Sequence, residues 1–330
     1  MFIPSAPPAE LATFIKKYTR FLVVGHKEPD GDCIGSELVL CSALRRLGKT
    51  AIPCSAGPFK RHEIRAYEEL FQREITAEMR KDAALIIVDC SSADRTGDLE
   101  SHLSGLPTAI IDHHITGTAG AADARFVNSE SPSTVSLIYE FVKALGLEPT
   151  REEAELLFLG LCGDTGFFRH LDAGGAATFD LAATLVRAGA NPKQTFALMN
   201  GGKTLNTCMF LGSMLSRIES YFEGKLLICT ETFEETERYG VESRDSDTLY
   251  QLLLSVNNVE AIAVIRQESA EKCNVGLRSR NRVNVALIAA TLGGGGHKNA
   301  AGLGTHGTIS ELRTKLLAEF EKILTTTSDE

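Results

Sequence analysis

Three short runs of apolar, β-rich residues, Phe21–Val24, Leu85–Val88 and Ala109–Ile111, each break off directly into a polar segment that carries aspartate or histidine. The runs are apolar throughout rather than alternating, the pattern of strands buried on both faces of a sheet. Helical periodicity separates or follows them at about Ser36–Leu47, Ser133–Leu145, Arg151–Leu161 and Ala176–Ala188. Strand-then-helix repetition predicts an α/β unit, a mainly parallel sheet with helices on both sides. In such a sheet the carboxyl ends of the strands open on one crevice, where the polar segments should converge.

From about Ala190 the pattern changes. Ala190-Asn191-Pro192 reads as a helix stop, and Gly201-Gly202 interrupts the next stretch. Strand candidates Leu226–Thr230, Ala261–Arg266 and Cys273–Arg278, with helical segments at about Asn284–Leu292 and Ile309–Ile323, make a second, smaller α/β unit. The expected organisation is a first domain over 1–190, a linker over 191–215 and a second domain over 216–330, facing the first across a cleft. At 330 residues with 43% hydrophobic content, the chain has material for two cores.

No apolar run approaches the ~18 residues of a membrane span. The amino-terminal segment lacks the basic start and apolar stretch of a secretory signal. Eight cysteines are scattered without a C-x-x-C pair, as expected of reduced thiols. These features predict a cytoplasmic protein with no membrane partner. A net charge of −9 argues against a surface that holds long nucleic acid by its phosphates, so any phosphate contact must be local.

The segments after the strands are Gly25-His26…Asp30-Gly31-Asp32, Asp89, and Asp112-His113-His114; Asp164 follows the helical run 151–161. Each has an ordinary reading alone: Asp30-Gly31-Asp32 as a turn with a helix cap, Asp89 as the cap of a helix near Ser91, the histidine pair as surface loop. Together they would place five aspartates and three histidines in one crevice with Lys27 as the only nearby base. Such crowding raises carboxylate pKa values unless a cation neutralises it. Carboxylates with neutral imidazoles suit manganese, with magnesium or another divalent metal as alternatives. The ligand count exceeds one catalytic ion and fits two, about 3.5–4 Å apart. The residues alone therefore predict a two-metal hydrolase, with Cys33 a small buried filler beside the crevice.

Gly293-Gly294-Gly295-Gly296-His297 lies between the last two helical segments and matches neither a Walker A loop nor a dinucleotide fingerprint. A flexible loop is one reading; a backbone approached closely, or aimed at an anion, is the other. Arg278, Arg280, Arg282, His297 and Lys298 gather around it, which favours a phosphate-holding patch.

In combination, Gly25-His26…Pro29-Asp30-Gly31-Asp32…Gly35-Ser36, Asp89, Asp112-His113-His114, Gly163-Asp164-Thr165-Gly166 and Gly293–His297 followed by Ala300-Ala301-Gly302 resemble the DHH phosphoesterase superfamily with its associated C-terminal domain, over nearly the whole chain. Within it, the chain looks most like the oligoribonuclease and pAp phosphatase (NrnA-like) subgroup. The resemblance implies His26, Asp30, Asp32, Asp89, His113 and Asp164 as ligands of two Mn2+ ions, with Asp89 bridging. His114 would contact the scissile phosphate, and Asp112 would orient a histidine. Arg278, Gly294, Gly295, Gly296 and His297 would bind substrate. The implied reaction is attack on phosphorus by a metal-bridging water, on short RNA oligonucleotides and pAp. A cyclic di-AMP or pApA phosphodiesterase, an inorganic pyrophosphatase and a non-catalytic nucleotide-binding regulator stay open as alternatives; a homodimer is compatible with all of them.

Overall fold

The structure, a computed structural model, describes residues 6–114, 122–280 and 282–325. Residues 1–5, part of the segment read for a secretory signal, lie outside the described residues. The chain divides into two compact units, with the boundary between Gly202 and Lys203. The first unit runs through α1 (Ala9–Lys17), β1 (Arg20–Val24), α2 (Gly31–Arg46), β2 (Thr50–Cys54), α3 (Ala77–Arg80), β3 (Ala83–Val88), β4 (Thr108–Asp112), β5 (Ala124–Val127), α4 (Thr134–Ala144), α5 (Arg151–Asp164), α6 (Ala176–Arg187) and α7 (Pro192–Asn200). The second runs through α8 (Leu205–Leu215), β6 (Glu219–Tyr221), β7 (Leu226–Glu231), α9 (Phe233–Tyr239), α10 (Ser246–Leu254), β8 (Ala261–Ser269), β9 (Lys272–Ser279), α11 (Val285–Thr291), β10 (Gly295–His297), β11 (Ala300–His306) and α12 (Ile309–Leu324).

The first sheet is parallel throughout, in the order β2-β1-β3-β4-β5. Phe21, Val23, Ile86 and Val88 face one core with residues of α2, α4 and α5, while Leu22, Val24, Leu85 and Ile87 face another, so the apolar runs are covered on both sides. The chain leaves β1 toward β2 and β3 toward β4, in opposite directions across the sheet. The switch point, where open α/β sheets leave a crevice, therefore lies at the carboxyl ends of β1 and β3, where His26 and Asp89 follow.

Helix α2 begins at Gly31 rather than at Ser36, where the sequence pattern places it. The Asp30 carboxylate accepts the backbone N–H groups of Asp32 and Cys33 and caps it, so Asp32 sits in the first helical turn. Helices α2 and α5 then cross at glycine. A Cβ added at Gly35 would stand 2.8 Å from the Leu156 carbonyl oxygen, and one at Gly160 would stand 2.7 Å from Val135 Cγ1 and 3.0 Å from Asp32 Cα. That approach sets Asp32 against the end of α5, where Asp164 lies. Gly160→Val is expected to cost about 1–3 kcal/mol by overpacking and to separate the two carboxylates. Denaturant unfolding and a Mn2+ titration on the same sample check it; unchanged metal affinity would show that this crossing does not set the site.

The stretch 191–215, expected as a linker, is mostly helix: Asn191 caps α7 with Pro192 in its first turn, and Thr204 caps α8. Phe210 and Met214 of α8 are buried with Leu227, Cys229 and Ile262, inside the core of the second unit. The second sheet has the order β10-β11-β9-β8-β7-β6; β7 and β8 pair parallel and the other pairs antiparallel. Helices α11 and α12 cover one face and α8 and α10 part of the other. No helix among the described residues is long and apolar enough to cross a membrane. The eight cysteines are free, and Cys208 is the exposed one.

Candidate metal centre

The loops after β1, β3 and β4 and the end of α5 bring the predicted side chains together. His26 Nε2 lies 3.4 Å from Asp89 Oδ2 and 4.0 Å from Asp30 Oδ1. His113 Nε2 lies 3.1 Å from Asp164 Oδ2, 3.7 Å from Asp89 Oδ1 and 3.9 Å from Asp32 Oδ2. Asp89 thus stands between two donor groups and turns one oxygen toward each. It is nearly fully buried, and its φ of 58° is a left-handed conformation that strains a residue with a side chain. The Asp89 N–H still donates to Ile111 O, so the kink turns the side chain out of the strand direction without giving up the sheet.

Whether these residues suit a metal is decided by their ring nitrogens and by the state of the carboxylates. His26 Nδ1 is 2.9 Å from the Lys27 carbonyl, and His113 Nδ1 is 3.2 Å from the Ser131 carbonyl. A proton on Nδ1 satisfies each carbonyl and leaves an Nε2 lone pair facing the carboxylates, the arrangement of a metal-ligating histidine. His113 Nε2 is buried and, although 3.1 Å from Asp164 Oδ2, makes no well-aligned hydrogen bond among the described residues. Burial, together with the charges of Asp89, Asp164 and Asp30, pushes Asp32 well above the ordinary carboxylate range. Asp164 rises through burial as well, despite its contact with His113. Burial disfavours the charged form of His26 and His113, but Asp89 for the first and Asp164 for the second outweigh it, raising both to about 9. Without a cation the cluster holds itself together with protons; nitrogen and carboxylate donors so arranged fit a divalent ion of the manganese or magnesium kind. Donor atoms from Asp32, His113 and Asp164 lie within 4.8 Å of one another, as do those of Asp89, His113 and His114.

Asp32 is fully buried and accepts the N–H groups of Thr134, at 2.6 Å, and Val135, at 2.8 Å. It thereby caps α4, whose own N-cap residue Ser133 makes no capping bond and turns its hydroxyl to Ser136 instead. Thr134 Oγ1 donates to Asp89 Oδ1 at 2.8 Å. Neither contact was legible in the sequence, which showed only the helical periodicity of Ser133–Leu145. Asp112 accepts the His114 ring Nδ1 at 2.8 Å, the His114 N–H at 3.1 Å and the Ser91 hydroxyl. Burial pushes the Asp112 carboxyl up, and these bonds more than reverse it, holding it below the ordinary range. His114 is half-exposed and its ring is anchored by Nδ1, with no partner on Nε2 among the described residues. Cys33 is buried as expected, 3.6 Å from Glu37 Oε1, but its Sγ also lies within 4.8 Å of donor atoms of His26 and Asp89. Burial and the charge of Glu37 keep it a thiol.

In the second unit the glycine run is a helix stop and a β-hairpin strand, not a loop between helices. Gly293, at φ 85°, ends α11 in a Schellman arrangement, with Gly294 N–H on Ala289 O and Gly293 N–H on Ala290 O. A Cβ at Gly294 would meet Gly302 O at 2.4 Å, and one at Gly296 would meet Ala301 Cα at 2.5 Å, so the close approach is by the chain's own β11. A Cβ at Gly295 would meet nothing within 4 Å among the described residues. Antiparallel pairing puts Arg278, Ala300 and His297 in one row across β9, β11 and β10, with Gly276, Gly302 and Gly295 in the next row of the same face. Arg280, expected in the basic patch, instead donates to the carbonyls of Leu254 and Val256 at the end of α10.

A family model described as "DHH family, N-terminal domain" matches residues 20–161, and one described as "DHHA1 domain" matches 224–326. The chain is 29% identical to the "Bifunctional oligoribonuclease and PAP phosphatase NrnA" of Thermus thermophilus, over 85% of this chain and 82% of that protein. It is 27% identical to the "Cyclic-di-AMP phosphodiesterase PdeA" of Listeria monocytogenes, over 97% of this chain and 49% of that protein. It is 24% identical to a "Membrane protein-large ribosomal subunit bL9 fusion protein" of onion yellows phytoplasma, over 95% of this chain, but spans only 38% of that relative's length. An exopolyphosphatase-related protein from Bacteroides fragilis shares the fold, with a TM-score of 0.82 at 21% identity, covering 96% of this chain and 98% of that one.

Proposed function

Given that the chain belongs to the DHH family, we propose that it is a divalent-metal phosphoesterase that hydrolyses short oligoribonucleotides to mononucleotides and pAp to AMP and phosphate. The observation that carries this is Asp89, strained into place between two donor groups with one carboxylate oxygen turned toward the imidazole nitrogen of each. In this reading His26, Asp30 and Asp89 hold one ion, Asp89, Asp32, His113 and Asp164 the other, and manganese is preferred. When bound, the ions supply Lewis-acid charge and lower the pKa of a coordinated water.

The protein's own groups do the rest. Asp112 fixes the His114 tautomer through Nδ1, so that the free Nε2 hydrogen-bonds a phosphoryl oxygen or gives a proton to the leaving group. Thr134 holds Asp89, and the start of α4 holds Asp32, so neither carboxylate must reorganise during the reaction. Arg278, His297 and the open backbone at Gly295 take a phosphate or nucleotide end. Similarity to NrnA across most of both chains supports the short-RNA and pAp substrates. Similarity to PdeA over nearly all of this chain favours, as the second reading, hydrolysis of cyclic di-AMP or pApA.

The test is release of AMP from pAp and of mononucleotides from RNA of two to five residues, with Mn2+ and with chelator, beside pApA, cyclic di-AMP and pyrophosphate. Chelator-sensitive turnover of pAp or short RNA is expected. Turnover of cyclic di-AMP or pyrophosphate alone would move the protein to another specificity, and silence on all substrates with metal bound would make it a nucleotide-binding regulator.

A further inference from the structure

Arg278 differs from the other buried or half-buried arginines of the second unit. Arg244 and Arg266 both bind the fully buried Glu231, at 2.6 and 3.0 Å. Among the described residues, Arg278 has no carboxylate within ion-pair distance, and its guanidinium donates to the Leu277 carbonyl, at 2.9 Å. An aromatic face holds it: Arg278 Cζ lies 4.5 Å from the centroid of the Tyr250 ring. Tyr250 belongs to α10 and is 5% exposed, its ring fixed in the core with Phe210, Leu249 and Leu253. The backbone makes room for it. Gly276 lies two residues before Arg278, on the same face of β9, and a Cβ there would stand 2.0 Å from Tyr250 Oη. One absent side chain thus admits the phenol, and the phenol's ring supports the guanidinium.

A guanidinium supported on a ring and lacking a counter-ion keeps its N–H edge available for a planar, bidentate acceptor. Arg278 also shares its row with His297 and lies one row from the open Gly295. We propose that Tyr250, admitted by Gly276, is a positioning residue that orients Arg278 for bidentate binding of a substrate phosphate; this rests on the reading of Arg278 as a phosphate-holding residue. Tyr250 touches no substrate and acts through Arg278.

The test compares Arg278→Ala, Tyr250→Leu, Tyr250→Phe and Gly276→Ala in the full chain, by steady-state kinetics on pAp with Mn2+ and by calorimetric binding of pAp in chelator. Loss of the stack in Tyr250→Leu is expected to raise KM and the pAp Kd by about tenfold, with a much smaller change in kcat. Tyr250→Phe, which keeps the ring, should restore both values. Gly276→Ala, which displaces the phenol while leaving the ring chemistry intact, should weaken binding in the same way, and it decides the matter if thermal melting shows Tyr250→Leu to be unfolded. The Arg278→Ala/Tyr250→Leu double variant should bind no more weakly than Arg278→Ala. If Arg278→Ala binds pAp as the wild type does, the phosphate-holding reading falls. If Arg278→Ala weakens binding while Tyr250→Leu and Gly276→Ala do not, or the double variant is additive, the reading stands and the role of Tyr250 is overturned.

Discussion

Asp89→Ala is expected to lower kcat by at least about a thousandfold, the upper range for losing one preorganised stabiliser of transition-state charge, and to abolish tight Mn2+ binding. The size of the effect follows from geometry. Asp89 Oδ2 faces His26 and Oδ1 faces His113, so one substitution damages both donor groups, whereas loss of His26 or Asp164 damages one. The metal-free fold, in contrast, should tolerate the change. Asp89 is one of four carboxylates in a buried cluster, its charge helps raise Asp32 and Asp164, and its removal relieves that repulsion, although alanine keeps the Cβ and so the strain at φ 58°. Metal content by elemental analysis, kinetics and denaturant unfolding in chelator test this together. Activity near that of the wild type would remove Asp89 from the bridging position. Collapse of the metal-free fold would instead make it a structural residue.

The strands that carry the site were legible because they are central. Residues 85–88 of β3 are buried on both faces, so no polar residue interrupts the run and Asp89 stands out at its end. The edges of the same sheet were not legible. Strand β2 contains Pro53, which argues against a strand except at an edge, and β5 contains Arg125, an uncommon residue for a covered face. The helix stop at 190–192 and the glycine pair at 201–202 were sound signals; the first precedes the capped helix α7 and the second separates it from the capped helix α8, within the stretch expected as a linker. The glycine run was ambiguous for a different reason. Four glycines indicate close approach without saying of what, and for Gly294 and Gly296 the answer is the neighbouring strand, 302 and 301. Contacts between distant segments leave no local trace, so Thr134 on Asp89 and Tyr250 under Arg278 required the folded chain.

The second large effect is a coupling of metal to protons. In the metal-free protein His26 and His113 have pKa values of about 9 against an ordinary 6.5. A folded-state pKa above the unfolded one contributes stability that is complete below the unfolded value and is lost as pH rises through the folded value. Asp32 and Asp164, also raised, act with the same sign at their own pKa values. The metal-free protein should therefore lose stability as pH rises from about 6.5 to about 9, the window set by the two histidines. Metal binding runs the other way, because each ion must displace a proton from one imidazole before it can use the nitrogen. Mn2+ affinity should rise by up to about tenfold per pH unit for each site across that window, and the increase in Tm on adding Mn2+ should be larger at its upper end. Calorimetry in two buffers of different ionisation enthalpy would register close to one proton released per ion near neutral pH. A Kd independent of pH, with no proton release, would mean that His26 and His113 are already neutral and that the carboxylates of the centre are balanced by something other than their own histidines.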